Sequence, residues 1–252
     1  MNKLSVVIIT LNEEKNIARC IDSVQNIADE IIVVDSFSSD RTVEIVNGKG
    51  ARVFQQKFEG YTNQKNIAVS YSSNDYVFSI DADEEISYEL LESIRVVKLT
   101  GWGADAYEMN RLNFFGQTPI KSCGWYPDTK VRIWNKHKGG WQGGLVHEQW
   151  KANTSNLKKE KLVGDLLHYS YKTIDDLRKQ AEKFAALAAI KLMEEGTLQL
   201  LFKRIFSPLA RFFKSYILYR GFTEGKTGFY ICYYQYRETL LKYSEALKLK
   251  SK

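Results

Sequence analysis

Cysteine is scarce in this chain of 252 residues, and the three that occur, Cys20, Cys123 and Cys232, stand far apart. No CxxC pair and no cluster of cysteine with histidine is present, so the spacing excludes a disulfide framework and the common zinc sites. Scattered free cysteines are typical of a reducing compartment. We therefore expect the protein to act in the cytoplasm.

Long apolar runs are also missing. Runs such as residues 229–234 fall far below the roughly 18 residues that a membrane-spanning helix needs. The apolar segment at residues 4–10 follows a single Lys and lacks a cleavage motif, so no secretion signal is predicted. We expect a soluble or membrane-peripheral protein.

Glycine-rich phosphate loops and dinucleotide fingerprints are absent as well, which argues against P-loop ATPases and dehydrogenases. The composition itself is ordinary, with 44% hydrophobic and 26% charged residues, so a disordered or fibrous chain is excluded.

Charge is unevenly distributed along the chain. Residues 1–150 hold 16 basic and 20 acidic side chains, whereas residues 151–252 hold 20 basic and 10 acidic ones. This asymmetry predicts an anionic partner for the second half, although solvated helix faces would give the same count. No nucleic-acid-binding motif accompanies the positive charge, and the acidic first half would repel phosphates, so no nucleic-acid partner is expected.

Strand and helix patterns alternate over the first hundred residues. Apolar runs predict buried strands at 4–10, 30–34, 52–54 and 76–80. Apolar residues at helical spacing predict helices at 14–24, 38–47, 62–71 and 88–98. This rhythm predicts an α/β fold with a mostly parallel sheet and helices on both faces. Antiparallel strands are expected at 104–115 and 130–134.

From residue 173 onward the pattern is helical, and Thr173 with Asp176 predicts a capping box. We therefore expect a catalytic α/β domain at 1–172 and a basic, aromatic-rich helical extension at 173–252.

Polar clusters follow three of the predicted strands, at residues 10–14, 35–41 and 81–85. Ligands of parallel α/β sheets bind beyond the carboxyl ends of the strands. Asp81-Ala82-Asp83 is the sharpest of these signals, because two carboxylates in one turn can direct oxygens toward a hard cation such as Mg²⁺. Such an ion would stabilise a departing nucleotide diphosphate. An aspartyl-phosphate phosphatase is disfavoured, since Glu84 stands where that chemistry favours Thr or Val.

Together these residues resemble the inverting nucleotide-sugar glycosyltransferases of family 2, which have the GT-A fold. The likeness rests on the opening segment 7–14, the segment 33–42, Gln64-Lys65-Asn66 and the segment 81–84. The resemblance implies a divalent metal, Mg²⁺ or Mn²⁺, held by Asp83 with His168. It implies a nucleotide-sugar pocket formed by Thr10, Leu11, Asn12, Glu13, Asp35, Ser36, Lys65, Asp81 and Ala82.

Later segments, 123–128, 131–134, 144–148 and 211–228, resemble the lipopolysaccharide-core glucosyltransferase subgroup. The subgroup usually has Leu-Asp where this chain has Thr223-Glu224. This likeness implies transfer of a hexose, glucose from a UDP-sugar, to a lipid-linked envelope oligosaccharide at the inner membrane surface.

An inverting transfer is a single displacement that needs a base for the acceptor hydroxyl. By the resemblance Glu148 is the first choice for this base and Asp128 the second. Both His147 and His168 are alternatives for a metal contact.

The stretch at 202–214 mixes basic and aromatic residues at helical spacing, which predicts a helix that lies on an anionic membrane. A helix packed on the catalytic domain would also explain its aromatic residues. Two other functions remain open, a nucleotidyltransferase that makes a nucleotide sugar and a non-catalytic membrane-surface module.

Overall fold

The computed structural model describes residues 2–143 and 148–250. Its strands are β1 (Leu4–Thr10), β2 (Glu30–Asp35), β3 (Arg52–Gln55), β4 (Tyr76–Asp81), β5 (Glu84–Ile86), β6 (Ala106–Phe115), β7 (Thr118–Pro119), β8 (Asp128–Asn135), β9 (Gly139–Gln142), β10 (Gln149–Ala152) and β11 (Lys159–Tyr171). Its helices are α1 (Ile17–Val24), α2 (Thr42–Gly48), α3 (Tyr61–Ser70), α4 (Tyr88–Thr100), α5 (Ile174–Lys191), α6 (Thr197–Phe213) and α7 (Gly225–Lys250). A π-helical turn (Lys214–Leu218) and a 3₁₀ turn (Gly221–Glu224) lie between α6 and α7.

The main sheet has the strand order β3-β2-β1-β4-β8-β6-β11-β5, with β7 paired to β6. The first four strands of this order are parallel. Strand β8 joins β4 in the antiparallel direction, and β6 joins β8 in the same way. Strands β9 and β10 form a separate antiparallel pair. The predicted α/β fold is confirmed, with its parallel strands drawn from the first half of the chain.

Strand β1 is buried on both faces, which explains its unbroken apolar sequence. Successive side chains of a strand point to opposite faces. Val6 and Ile8 accordingly join the core cluster that contains Ile21 of α1. Val7 joins a second cluster with Ala68 of α3. Helices therefore cover both faces of the parallel strands, as predicted.

Strand β11 is not predicted by the sequence pattern. Its 13 residues include Gly164, which has a φ of +98° and lies so close to the start of α4 that an added Cβ would meet the backbone nitrogen of Leu90 at 2.2 Å. Glycine is needed at such a position because it has no Cβ. Strand β11 pairs with β5 and sets His168 opposite Glu84.

Two compact units make up the chain, one of Met1–Arg111 with Asp128–His168 and the other of Leu112–Pro127 with Tyr169–Lys252. The second unit thus contains residues 112–127 in addition to the C-terminal helices, which the sequence pattern did not indicate. A buried cluster of its own includes Ile120, Leu177 and Ile231.

The capping box at the start of α5 is present. The Thr173 hydroxyl accepts a hydrogen bond from the Asp176 amide at 3.2 Å, and the Asp176 carboxylate accepts one from the Thr173 amide at 2.7 Å. Within residues 2–143 and 148–250, no helix is both long and apolar enough to cross a bilayer.

Glu30 of β2 provides a pH-dependent contribution to stability. Burial raises the pKa of Glu30, but hydrogen bonds from Ser5 and Ser73 and the charge of Arg52 outweigh it and hold that pKa below its usual range. A lowered pKa contributes stability above the unfolded value that is lost as pH falls through the folded value. We expect Glu30→Gln to reduce the free energy of unfolding at pH 7 by about 1.5 kcal/mol and to cost less below pH about 4.

Urea unfolding at both pH values measures this difference. Glu44→Gln is the matched control, since Glu44 pairs with Arg41 on an exposed helix surface. Equal losses for the two variants would contradict the assignment.

Candidate functional site

The sheet brings the three predicted polar clusters to one edge. Thr10 at the end of β1 is in register with Asp35 at the end of β2. Ile9 is in register with Asp81 at the end of β4. Both Thr10 and Asp35 are buried. The strand ends therefore place these side chains side by side, as expected for a parallel sheet.

Hydrogen bonds tie the loop after β1 to the loop after β2. Asn12 adopts left-handed backbone geometry with a φ of 55°. Its amide donates to the Ser38 hydroxyl at 2.8 Å, and its side-chain oxygen accepts from the Ser39 amide at 2.9 Å. The Asp35 carboxylate accepts from the Ser38 amide at 2.9 Å. Asn12 and Asp35 thus shape the two loops that border the strand ends.

The other residues predicted for the nucleotide pocket have different surroundings. Glu13 accepts a hydrogen bond from the Asn16 side chain at 2.6 Å, and Ser36 accepts one from Gln64 at 3.0 Å. The Leu11 side chain is 49% exposed. Ala82 is buried.

The Thr10 hydroxyl is buried without a hydrogen-bond partner in the described part of the chain. An unsatisfied buried hydroxyl costs about 1–3 kcal/mol. A ligand that hydrogen-bonds to it would remove this cost, so the sheet edge at Thr10 suits a polar ligand.

Asp81 lies between two cations. The Lys65 ammonium of α3 is 2.9 Å from one carboxylate oxygen of Asp81, and the Arg132 guanidinium of β8 is 3.0 Å from the other. Burial raises the pKa of Asp81, but the charges of Lys65 and Arg132 outweigh it and hold that pKa well below its usual range. Asp81 is therefore ionised at neutral pH and fixed in position.

Glu84 and Arg132 are site residues that the sequence analysis missed. Arg132 also contacts Glu84 at 2.6 Å, and both side chains are buried. A second Glu84 oxygen accepts from the amide of Asp81 at 3.0 Å, which closes the turn around Asp81-Ala82-Asp83. The available signal was Arg132 itself, a charged residue between the apolar Val131 and Ile133 of a predicted strand.

Asp83 faces His168 of β11, with 3.3 Å between a carboxylate oxygen of Asp83 and Nε2 of His168. Burial raises the pKa of Asp83, and the hydrogen bond and charge of His168 outweigh this and lower it. Among the described residues, no group of three or more His, Cys, Asp or Glu side chains could hold a metal ion. The Asp83 carboxylate nevertheless fits Mg²⁺ or Mn²⁺, since Mg²⁺ takes one or two protein carboxylates and completes its shell with phosphates and water. The imidazole of His168 lies beside this carboxylate.

Glu148, the first candidate for the base, lies 3.3 Å from the Lys65 ammonium. The same ammonium is 4.5 Å from the ring centre of Trp141, a distance typical of a cation–π contact. Lys65 is only 3% exposed and contacts both Asp81 and Glu148, so it links the strand end to the candidate base.

Asp128, the second candidate, has two cationic partners of its own. Arg111 is 2.7 Å and Lys130 is 2.8 Å from its carboxylate. Burial raises the pKa of Asp128, but the charges of Arg111 and Lys130 outweigh it and lower the pKa. Asp128 connects to the rest of the site through Arg111, which lies 3.7 Å from Glu84.

His147 lies outside the described residues. Of the aromatic side chains near these loops, Trp134 is fully buried and packs edge-on against Trp141, so its role is in the core. Trp125 belongs to the second unit and stacks on Tyr171.

Residues 5–145 match the family model described as glycosyl transferase family 2. The chain belongs to glycosyltransferase family 2. Its α/β sheet and the acidic strand ends agree with the GT-A fold expected for this family.

Relatives of this family 2 glycosyltransferase extend over nearly the whole chain. An uncharacterized glycosyltransferase of Rickettsia typhi is 34% identical over 239 residues, which cover 91% of this chain and 81% of the relative. The lipopolysaccharide core biosynthesis glycosyltransferase LpsC of Rhizobium meliloti is 30% identical over 245 residues, covering 89% and 87% of the two chains. Glucosyl-3-phosphoglycerate synthase from Mycobacterium tuberculosis, solved with Mn²⁺, UDP-glucose and phosphoglyceric acid, overlaps 45% of this chain and 44% of its own at 28% identity and a TM-score of 0.37.

Proposed function

We propose that this family 2 glycosyltransferase is inverting and metal-dependent and transfers a hexose from a UDP-sugar, with glucose as the expected sugar. One observation carries the proposal. The turn that follows β4 lies next to two pairs of side chains, Asp83 with His168 and Glu148 with Lys65. This turn is at the sheet edge where Asp35 and Thr10 end their strands.

Each side chain has a defined task in this reaction. Asp35 and the Thr10 hydroxyl offer polar groups to the nucleoside, and Lys65 offers a positive charge to the base or the diphosphate. Asp83 and His168 would hold the divalent ion, which supplies charge stabilisation for the departing diphosphate. Glu148 removes the proton from the acceptor hydroxyl as that oxygen attacks the sugar.

The acceptor in this proposal is a lipopolysaccharide core or another lipid-linked envelope glycan. The similarity to LpsC, which is named for lipopolysaccharide core biosynthesis, supports this acceptor class. A lipid-linked acceptor requires the enzyme to work at a membrane surface, so the expected location is the cytoplasmic face of the inner membrane.

Thermal unfolding in the presence of nucleotide sugars tests the donor, because a ligand that binds the folded state raises its stability. We expect UDP-glucose with Mn²⁺ or Mg²⁺ to raise the melting temperature more than GDP- or ADP-sugars do. Incubation with an extracted lipid-linked acceptor should then release UDP. Release of pyrophosphate from a sugar phosphate and UTP would instead identify a nucleotidyltransferase, and the absence of any stabilising nucleotide sugar would favour the non-catalytic module.

Asp83→Asn tests the metal assignment. We expect this variant to weaken the metal-dependent part of donor binding at least about tenfold, since one ligand is lost from a site that has about two. Calorimetric titration of UDP-glucose with and without Mn²⁺ measures the effect. Asp75→Asn is the matched control, because Asp75 forms a comparable pair with His137, at 3.2 Å, on the protein surface. An Asp83→Asn enzyme with unchanged metal dependence would exclude Asp83 as a ligand.

A further inference from the structure

Helix α6 exposes an apolar stripe on its solvent side. The stripe consists of Leu198, Phe202, Ile205, Phe206, Leu209 and Phe213, whose side chains are between 53% and 83% exposed. Their spacing of one, three or four residues places them on one side of a helix that turns about 100° per residue. The opposite side is the one that packs, since Leu200 is buried in a cluster with Ala189, Tyr243 and Ala246.

This arrangement reverses the usual amphipathic pattern, in which the apolar side of a surface helix faces the core. Soluble proteins rarely leave large contiguous apolar patches in water, and such patches mark sites of interaction. Leu218, in the π-helical turn that follows α6, is also 64% exposed. Packing within the second unit therefore does not account for these side chains.

The charge around the stripe indicates the chemistry of its partner. Residues 197–220 contain five cations, Lys203, Arg204, Arg211, Lys214 and Arg220, and no carboxylate. Lys203 pairs with Glu195, outside this segment, at 2.7 Å, and the segment keeps a net positive charge when this pair is counted. At 100° per residue Lys203, Arg204, Arg211 and Lys214 lie off the stripe. Long basic side chains can still reach lipid headgroups while the apolar side chains enter the acyl region. The exposed apolar side chains of this segment suit the acyl region of a bilayer, and its charged side chains, which are all cationic, suit anionic headgroups.

We propose that the apolar stripe of α6 inserts into anionic phospholipid bilayers and is the element that holds this enzyme on the membrane. The inference rests on the proposed function only in taking the acceptor to be lipid-linked. It assigns the binding energy to particular side chains of α6 rather than to the positive charge of the whole C-terminal half.

Flotation of the full chain with lipid vesicles tests the proposal. We expect the wild type to float with vesicles of phosphatidylethanolamine and phosphatidylglycerol and to stay unbound with phosphatidylcholine alone. The double variant Phe202→Glu/Phe206→Glu should lower partition into the anionic vesicles at least about tenfold, because two aromatic side chains that would enter the bilayer are replaced by charges that lipid phosphates repel. Glutamate is a good helix former, so α6 is expected to stay intact.

Leu99→Glu is the matched control, since Leu99 of α4 is 82% exposed but lies in the first unit. It should bind vesicles within about twofold of the wild type. Stabilisation by UDP-glucose is expected to be unchanged in both variants, which separates this test from that of the proposed function.

Three results would overturn the proposal: a double variant that floats like the wild type, a wild type that does not bind anionic vesicles, or equal binding to phosphatidylcholine. Sedimentation equilibrium tests whether a second copy of the chain, rather than a membrane, binds the stripe. A dimer that the double variant abolishes, without vesicle binding by the wild type, would assign the stripe to a second copy of the chain.

Discussion

Glu148→Gln is expected to slow sugar transfer by about 10²–10⁴-fold, the range that a positioned general base contributes. Glutamine keeps the size of the side chain and an oxygen that can face the Lys65 ammonium, 3.3 Å from Glu148 in the wild type. It cannot take a proton from the acceptor hydroxyl. Because the substitution leaves Asp83 and Asp35 in place, donor affinity should stay within about twofold of the wild type.

Single-turnover transfer with saturating donor measures the chemical step, and calorimetry measures donor binding. Asp128→Asn is the comparison variant. Its expected loss is smaller, because Asp128 is paired with Arg111 and Lys130 and connects to the turn around Asp81 only through Arg111 and Glu84. A larger loss in Asp128→Asn than in Glu148→Gln would exchange their roles. Near-normal transfer by both variants would mean that neither Glu148 nor Asp128 is the general base.

Arg132→Met is expected to lower the free energy of unfolding by about 3–5 kcal/mol, as found when one partner of a buried ion pair is removed. The guanidinium contacts Asp81 and Glu84, and Glu84 is fully buried. Without Arg132 a buried carboxylate loses its counter-charge at 2.6 Å. Burial lowers the pKa of Arg132, yet the charges of Glu84 and Asp81 outweigh it and raise that pKa, so the cation is present at any pH of interest.

Urea unfolding of the single variant and of Arg132→Met/Glu84→Met distinguishes this cause from lost packing. Removing both charges should recover much of the stability, because the desolvation cost of the pair disappears with it. Arg95→Ala provides the exposed comparison, since its pair with Glu92 is about half exposed and worth less than about 1 kcal/mol. No recovery in the double variant would mean that the stabilisation by Arg132 comes from packing or from its contact with Asp81, not from its pair with Glu84.

Local sequence patterns were sufficient for the parallel half of the sheet. The apolar run of β1 predicts that the strand is buried, and the position of the polar residues after this run predicts that they lie at the carboxyl end of the strand. The prediction of parallel strands therefore placed Thr10, Asp35 and Asp81 at one edge of the sheet, where they lie in the structure. Element ends were less accurate, since α1 begins at Ile17 rather than residue 14 and α4 extends to Thr100.

Pairings between distant segments could not be predicted in the same way. Strand β11 contains Gly164, a residue that weakens a strand pattern, and Gly164 lies against the start of α4. The ion pair between Glu84 and Arg132 joins β5 to β8, and nothing local to either residue identifies its partner. Residues 112–127 read as part of the α/β domain, although they pack with the C-terminal helices. The roles of Glu148, Asp83 and the nucleotide-pocket residues came from the family resemblance and remain predictions.

The pairing of β11 with β5 also has a thermodynamic consequence. Asp83 and His168 are 85 positions apart in the chain, yet their side chains meet at 3.3 Å. An ion bound by both would close a loop of that length. The loss of chain entropy for this loop occurs when β11 pairs with β5, so ion binding to the folded protein does not incur it again. Ion release and unfolding are then linked equilibria, because the unfolded chain does not hold the two ligands together. An ion at this position would act as a reversible cross-link between the early strands and the last one.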